Sequence, residues 1–123
     1  MKESSTYYSS AEMQRFVESL IRFAPELTPA LETFRSSWPT DPPEMVLMGE
    51  LGRVYADSSG HVQNSNACQL IEDALDAQSP IRGVVAVGFL ESYWNRCQRR
   101  SIDPWLSIGS RATAYLDALK EFD

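Results

Sequence analysis

The sequence predicts an all-α protein, a single compact bundle of six or seven helices around a central apolar helix at about residues 80–99. Apolar residues recur at helical spacing in several segments, and typical helix-start residues precede them. The 123 residues are 43% hydrophobic and 23% charged, a balance typical of one globular domain. We expect residues 1–8, which lack periodicity, to be a flexible N-terminus and residues 9–123 to be a single helical domain.

The first two predicted helices lie on either side of Pro25. Ser9 and Glu12 have the spacing of a capping box, and apolar residues follow at i, i+3, i+4 and i+7 until Pro25 ends the helix. Thr28 and Pro29 then resemble the cap and first residue of a shorter second helix.

The third and fourth predicted helices follow the proline-rich segment WPTDPP. Asp41 and Glu44 form a second capping-box pattern, and the turn DSSG ends the third helix. The predicted inward stripe of the third helix is Met45, Met48, Leu51, Gly52 and Tyr55. The fourth helix, after NSN, is predicted to place Ala67, Leu70, Ile71, Ala74 and Leu75 inward and Gln69, Glu72, Asp73 and Asp76 outward.

The segment IRGVVAVGFLESYW is the most apolar part of the chain. A period of two would make it a buried strand, but the pattern runs beyond strand length and Ser79-Pro80 precedes it, so a helix is favoured. Apolar residues on two faces, with Val87 on the second, predict a helix at the centre of a bundle. Gly83 and Gly88 fit there if another helix crosses closely. The segment is too short to span a bilayer.

The C-terminal part is predicted to contain a short turn and one last helix. Asp103-Pro104 starts the turn, and Gly109-Ser110 leads into the helix. The predicted inward residues of this helix are Ala112, Tyr115, Leu116, Leu119 and Phe122.

Composition and motifs exclude several classes of function. A net charge of −6 argues against a nucleic-acid-binding protein. No signal-peptide pattern is present, so we expect a cytoplasmic protein in which Cys68 and Cys97 are buried thiols. His61 is the single histidine, which gives a metal site little support. We find no catalytic or phosphate-loop motif, and expect neither enzymatic activity nor a cofactor.

Charge is distributed unevenly along the chain, and this suggests two candidate surfaces. Residues 41–79 carry seven acids against Arg53, whereas residues 80–111 carry five arginines against two acids. The acidic candidates are Glu50, Asp57, Glu72, Asp73 and Asp76, which form either a solvated face or a docking surface for a basic partner. The alternative basic cluster is Arg96, Arg99 and Arg100, which either complements a helix C-terminus or binds an anion.

Residues 44–122 resemble small helical bacterial proteins that look like immunity proteins encoded beside secreted toxins. The similar segments are MGELGRVYADSSG, ACQLIEDALDAQSPIRGVVAVGFLESYW and LSIGSRATAYLDALKEF. The resemblance implies a cytosolic protein that binds a cognate toxin domain and occludes its active site. The acidic candidates would then meet basic residues around the toxin's substrate cleft.

Two other classes of function remain open. One is a small enzyme or ligand-binding domain whose pocket lies beside the central helix, opened by Gly83 and Gly88, with Tyr93 and Arg96 as polar contacts. The other is a homodimeric structural module.

Overall fold

The computed structural model describes residues 11–38, 43–58, 64–76, 78–101 and 109–120, and these residues form an all-α fold without a strand. Its elements are α1 (Ala11–Phe23), a 3₁₀ turn (Pro25–Leu27), α2 (Thr28–Ser36), α3 (Glu44–Asp57), α4 (Ser65–Ala74), a π-helical segment (Val84–Leu90), α5 (Glu91–Arg100) and α6 (Ser110–Lys120). The π-helical segment continues directly into α5, and we call residues 84–100 the central helix. The predicted fold class is confirmed.

The central helix packs along its length against α3. A Cβ atom at Gly52 would overlap the carbonyl oxygen of Phe89, and one at Gly88 would lie 2.9 Å from the Cβ of Met48. The two backbones can therefore approach this closely only because both positions are glycine. The close crossing predicted at Gly88 is confirmed. The same prediction is wrong at Gly83, where a Cβ atom would meet nothing within 4 Å.

The π-helical winding changes which side chains face the core. The N–H of Glu91 donates to the carbonyl of Ala86, five residues back, so each turn takes more residues than an α-helical turn. Val87 was predicted inward but is 46% exposed, and Leu90 is buried. Met45 on α3, also predicted inward, is 43% exposed.

Aromatic rings join three helices at the centre of the core. The ring of Phe89 lies 6.3 Å from that of Phe16 on α1 and 5.7 Å from that of Tyr55 on α3. Tyr55 also contacts Tyr93, with ring centroids 5.8 Å apart, and its burial raises its pKa well above the ordinary value. Cys68 and Cys97 are buried and do not form a disulfide, which confirms their prediction as buried thiols.

Several predicted helix ends are observed and others shift by a few residues. α1 ends before Pro25, and Asn64 caps α4, its Oδ1 accepting the N–H of Ala67 at 3.0 Å. Thr28 is the first residue of α2 rather than its cap, and α3 begins at Glu44 after Pro43, without a side-chain cap. The predictions for residues 1–10, the turn at 103–108, His61 and Phe122 lie outside the described residues.

Candidate functional site

Glu72 is buried, and the prediction that it lies on an outward face is wrong. Its side chain is 9% exposed, and its two carboxylate oxygens accept the backbone N–H groups of Arg111 at 3.1 Å and Ala112 at 2.8 Å. These donors belong to the first turn of α6, where N–H groups lack partners within the helix. Glu72 therefore acts as an N-cap for a helix remote in sequence, where its negative charge also complements the helix dipole.

Gly109 makes this cap possible. It immediately precedes α6, and a Cβ atom there would overlap the Glu72 side chain. A glycine at this position has no side chain to cap its own helix, and leaves space for a carboxylate from α4. The sequence did contain one sign of such a cap: α6 begins after Gly109, which has no side chain that could cap the helix.

The other two acidic candidates of the predicted fourth helix have different partners, and Asp76 lies beyond the end of α4 at Ala74 rather than on its outward face. Asp76 accepts a hydrogen bond from the Arg111 guanidinium at 3.0 Å, and the same guanidinium donates to the backbone carbonyl of Glu72 at 3.0 Å. Asp73 is exposed, and its carboxylate accepts a hydrogen bond from the neutral amide of Gln69 at 2.9 Å. Among the described residues Asp73 therefore has no ion pair, while Asp76 forms one with Arg111.

The acidic candidates on α3 are also paired with arginines. Two nitrogens of Arg96 donate to the two carboxylate oxygens of Asp57, at 3.0 and 2.9 Å, and Arg100 approaches the same group at 3.5 Å. The hydrogen bond from Arg96 holds the pKa of Asp57 below its ordinary value. Glu50 pairs with Arg53 at 2.7 Å. The structure thus joins Asp57, an acidic candidate, to two members of the basic cluster.

The ion pairs connect the acidic segment of the chain with the basic segment. Asp57 pairs with Arg96 and Arg100, and Asp76 pairs with Arg111, so residues of the acidic segment at 41–79 bind residues of the basic segment at 80–111. Much of the charge that suggested an external partner is therefore balanced inside the fold. In the part of the chain that the structure describes, Asp73 is the exposed acidic candidate without an ion pair.

A groove lies between α1 and α4, and we call it the α1–α4 groove. Its volume is about 250 Å³, and the half-buried side chains of Leu70 and Ile81 contribute apolar surface to its lining. Glu12 from α1 and Asp73 from α4 also line it, together with Arg15, whose guanidinium lies 3.5 Å from the carboxylate of Glu12. The groove therefore combines apolar surface with two carboxylates and one cation.

Two members of the basic cluster line a small polar pocket between α3 and α5. Arg96 and Arg99 contribute to this pocket, which has a volume of about 170 Å³, and Arg53 from α3 joins them with Ser92 and Asn95. Arg99 forms no ion pair with the described residues, whereas Arg53 and Arg96 are paired. Arg100 does not line the pocket. The sequence did not place Arg53 in this cluster, because it lies on another helix.

The pocket expected beside the central helix, opened by Gly83 and Gly88, is filled at Gly88 and Tyr93 but open at Gly83. Met45 and Met48 pack against Gly88, and Tyr93 lies fully buried in the aromatic core. The polar group expected beside it, Arg96, pairs with Asp57 instead.

Across the described ranges, no three histidine, cysteine, aspartate or glutamate side chains lie close enough to hold a metal ion. None of the described helices has the length and hydropathy needed to cross a membrane. Comparisons of the chain with protein-family models, with curated proteins and with solved structures gave no match.

Proposed function

We propose that this chain is an immunity-type protein that acts in the cytosol by binding a cognate toxin domain and occluding its active site. The observation that carries the proposal is the α1–α4 groove, which places two carboxylates, from Glu12 and Asp73, beside apolar surface. The resemblance of residues 44–122 to immunity proteins supports the same function.

The groove is complementary to a lysine or arginine side chain on the partner. Such a side chain has an apolar stem and a cationic head, so it can place its stem against Leu70 and Ile81 and its head beside Glu12 or Asp73. Arg15 leaves the groove with one more carboxylate than cations. The net charge of −6 adds a long-range field that steers a basic partner toward the chain.

The proposed binding surface differs from the one that the sequence suggested. Asp73 remains part of the proposed binding surface because its carboxylate is exposed. Glu72 is removed because its carboxylate already caps α6 and cannot leave without exposing two backbone donors. Asp57 and Asp76 would first have to give up their arginines, so they contribute less than Asp73.

The function is tested by recovery of the tagged chain from its native host, followed by an assay of any protein that copurifies in a fixed ratio. We expect that protein to arrest bacterial growth when produced alone and to be neutralised when this chain is produced with it. A Glu12→Lys, Asp73→Lys variant should fail to protect the cells. The single-site control Glu32→Lys, on the exposed face of α2, should protect them. A copurifying protein that is harmless alone, or full protection by the double variant, would refute the proposal.

A further inference from the structure

A larger cavity lies between the start of the central helix and α6, on a surface that does not include the α1–α4 groove. Its volume is about 530 Å³, within the range of about 300–1,000 Å³ typical of small-molecule sites. One wall is formed by the π-helical segment, and π-helical turns occur frequently at functional sites.

Small residues on both facing helices leave this space open. Gly83 and Ala86 line it on one side, and Ala114 and Ala118 line it on the other. A Cβ atom at Gly83 would meet no atom within 4 Å, which shows that the space begins at the backbone itself. Val87, which the π-helical winding leaves 46% exposed, adds an apolar side chain to the wall.

The polar groups of the cavity include one arginine without a carboxylate partner. Arg82 donates through Nε to the carbonyl of Leu75 at 3.2 Å, and it forms no ion pair with any described residue. Arg111, which also lines the cavity, is already bound to Asp76. Arg82 is therefore the group that can bind an anion at the lowest cost to the fold.

Tyr115 provides a neutral polar group in the same lining. Its hydroxyl donates a hydrogen bond to the carboxylate of Glu91. Burial and that carboxylate raise the pKa of Tyr115 to about 12, while the nearby charge of Arg82 opposes the shift. Tyr115 therefore stays protonated at neutral pH and does not neutralise Arg82.

We propose that this cavity binds a small molecule with an apolar body and a single anionic head group, such as a carboxylate or sulfonate. The apolar body lies between Ala86, Val87 and the alanines of α6, and the head group accepts hydrogen bonds from Arg82. This site does not depend on the proposed binding of a toxin domain, since no residue that lines the cavity also lines the α1–α4 groove.

The probes are anilinonaphthalene sulfonate, followed by its fluorescence, and decanoate as a competitor. We expect one fluorescent probe to bind per folded chain. Decanoate should displace it, and decyltrimethylammonium at the same concentration should not. Arg82→Gln should weaken decanoate binding by about tenfold or more, because a charged hydrogen bond is lost. Arg99→Gln removes the same charge at the arginine pocket and should change the affinity by less than about twofold.

Filling the cavity provides a second test that does not depend on charge. Gly83→Phe should abolish binding of both probes, and it should leave the circular dichroism spectrum unchanged because Gly83 is exposed and has open space around it. Ala114→Phe fills the cavity from α6 and should give the same result. Unchanged binding to folded Gly83→Phe protein, equal displacement by the cationic competitor, or no binding of either probe to the parent chain would overturn the proposal.

Discussion

The carboxylate of Glu72 lies against Gly109 and supplies the N-terminal cap that this glycine cannot provide for α6. The two residues fasten the last helix to α4 through hydrogen bonds to backbone donors rather than through apolar packing alone. Arg111 strengthens the junction by binding both the Glu72 carbonyl and the Asp76 carboxylate. The acidic residues Glu72 and Asp76, which suggest a docking surface in the sequence, therefore hold α6 against the rest of the fold.

The substitution Glu72→Gln should destabilise the protein by about 1–2 kcal/mol. It keeps the size of the side chain but removes the negative charge and one of the two accepting oxygens at the start of α6. The adjacent change Asp73→Asn should alter the free energy of unfolding by less than about 0.5 kcal/mol, because that side chain is exposed. Urea unfolding of the three proteins measures both effects. Equal stabilities for the two variants would show that Glu72 does not cap α6.

A pair of glycine substitutions should have effects of opposite sign. Gly52→Ala should destabilise the protein by about 1–3 kcal/mol or more, because its Cβ atom would overlap the carbonyl of Phe89 and push the central helix away from α3. Gly83→Ala should stabilise it by about 0.4–1 kcal/mol, because alanine lowers the conformational entropy of the unfolded chain. The folded protein can accept the added Cβ atom, since the backbone at Gly83 is helical and the space around it is open. Thermal and urea unfolding of both variants test this. A Gly52→Ala protein as stable as the parent would contradict the close helix crossing.

The pairing of Asp57 with Arg96 should make stability depend on pH in the acid range. The folded-state pKa of Asp57 is lowered, so its contribution is fully present above the unfolded-state pKa of about 3.9. It is lost as the pH falls through the lower, folded-state pKa. Asp57→Asn should therefore cost about 0.5–1 kcal/mol at pH 7, and the difference from the parent should shrink below about pH 4. Urea unfolding at a series of pH values measures this difference, and a constant or growing gap on acidification would contradict the ion pair.

Helix positions and most of the core could be predicted from local sequence. Pro25 ends a helix because it cannot continue the hydrogen-bonding pattern, and Asn64 caps one because its side chain reaches a nearby backbone donor. These effects act over a few residues, so one sequence displays them. The buried residues Met13, Phe16, Val17 and Leu20 on α1 follow from helical periodicity for the same reason.

The role of Glu72 could not be predicted in this way, because its partners lie 39 and 40 residues further along the chain. Helical phase assigned it to an outward face, and nothing local marks a carboxylate that caps a distant helix. The complementary charge of the segments 41–79 and 80–111 was visible, but it fits an internal partner as well as an external one. The burial of Val87 was predicted wrongly for a different reason. The prediction assumed 3.6 residues per turn, and a π-helix has more residues in each turn.

The affinity of the purified chain for its purified toxin partner tests the proposed surface most directly. Titration calorimetry would compare the parent, Asp73→Lys and the matched control Glu32→Lys. We expect Asp73→Lys to weaken binding by about tenfold or more, and Glu32→Lys by less than about threefold, because Asp73 lines the α1–α4 groove and Glu32 does not. Equal affinities of the parent and Asp73→Lys would contradict the account and place the partner on another face.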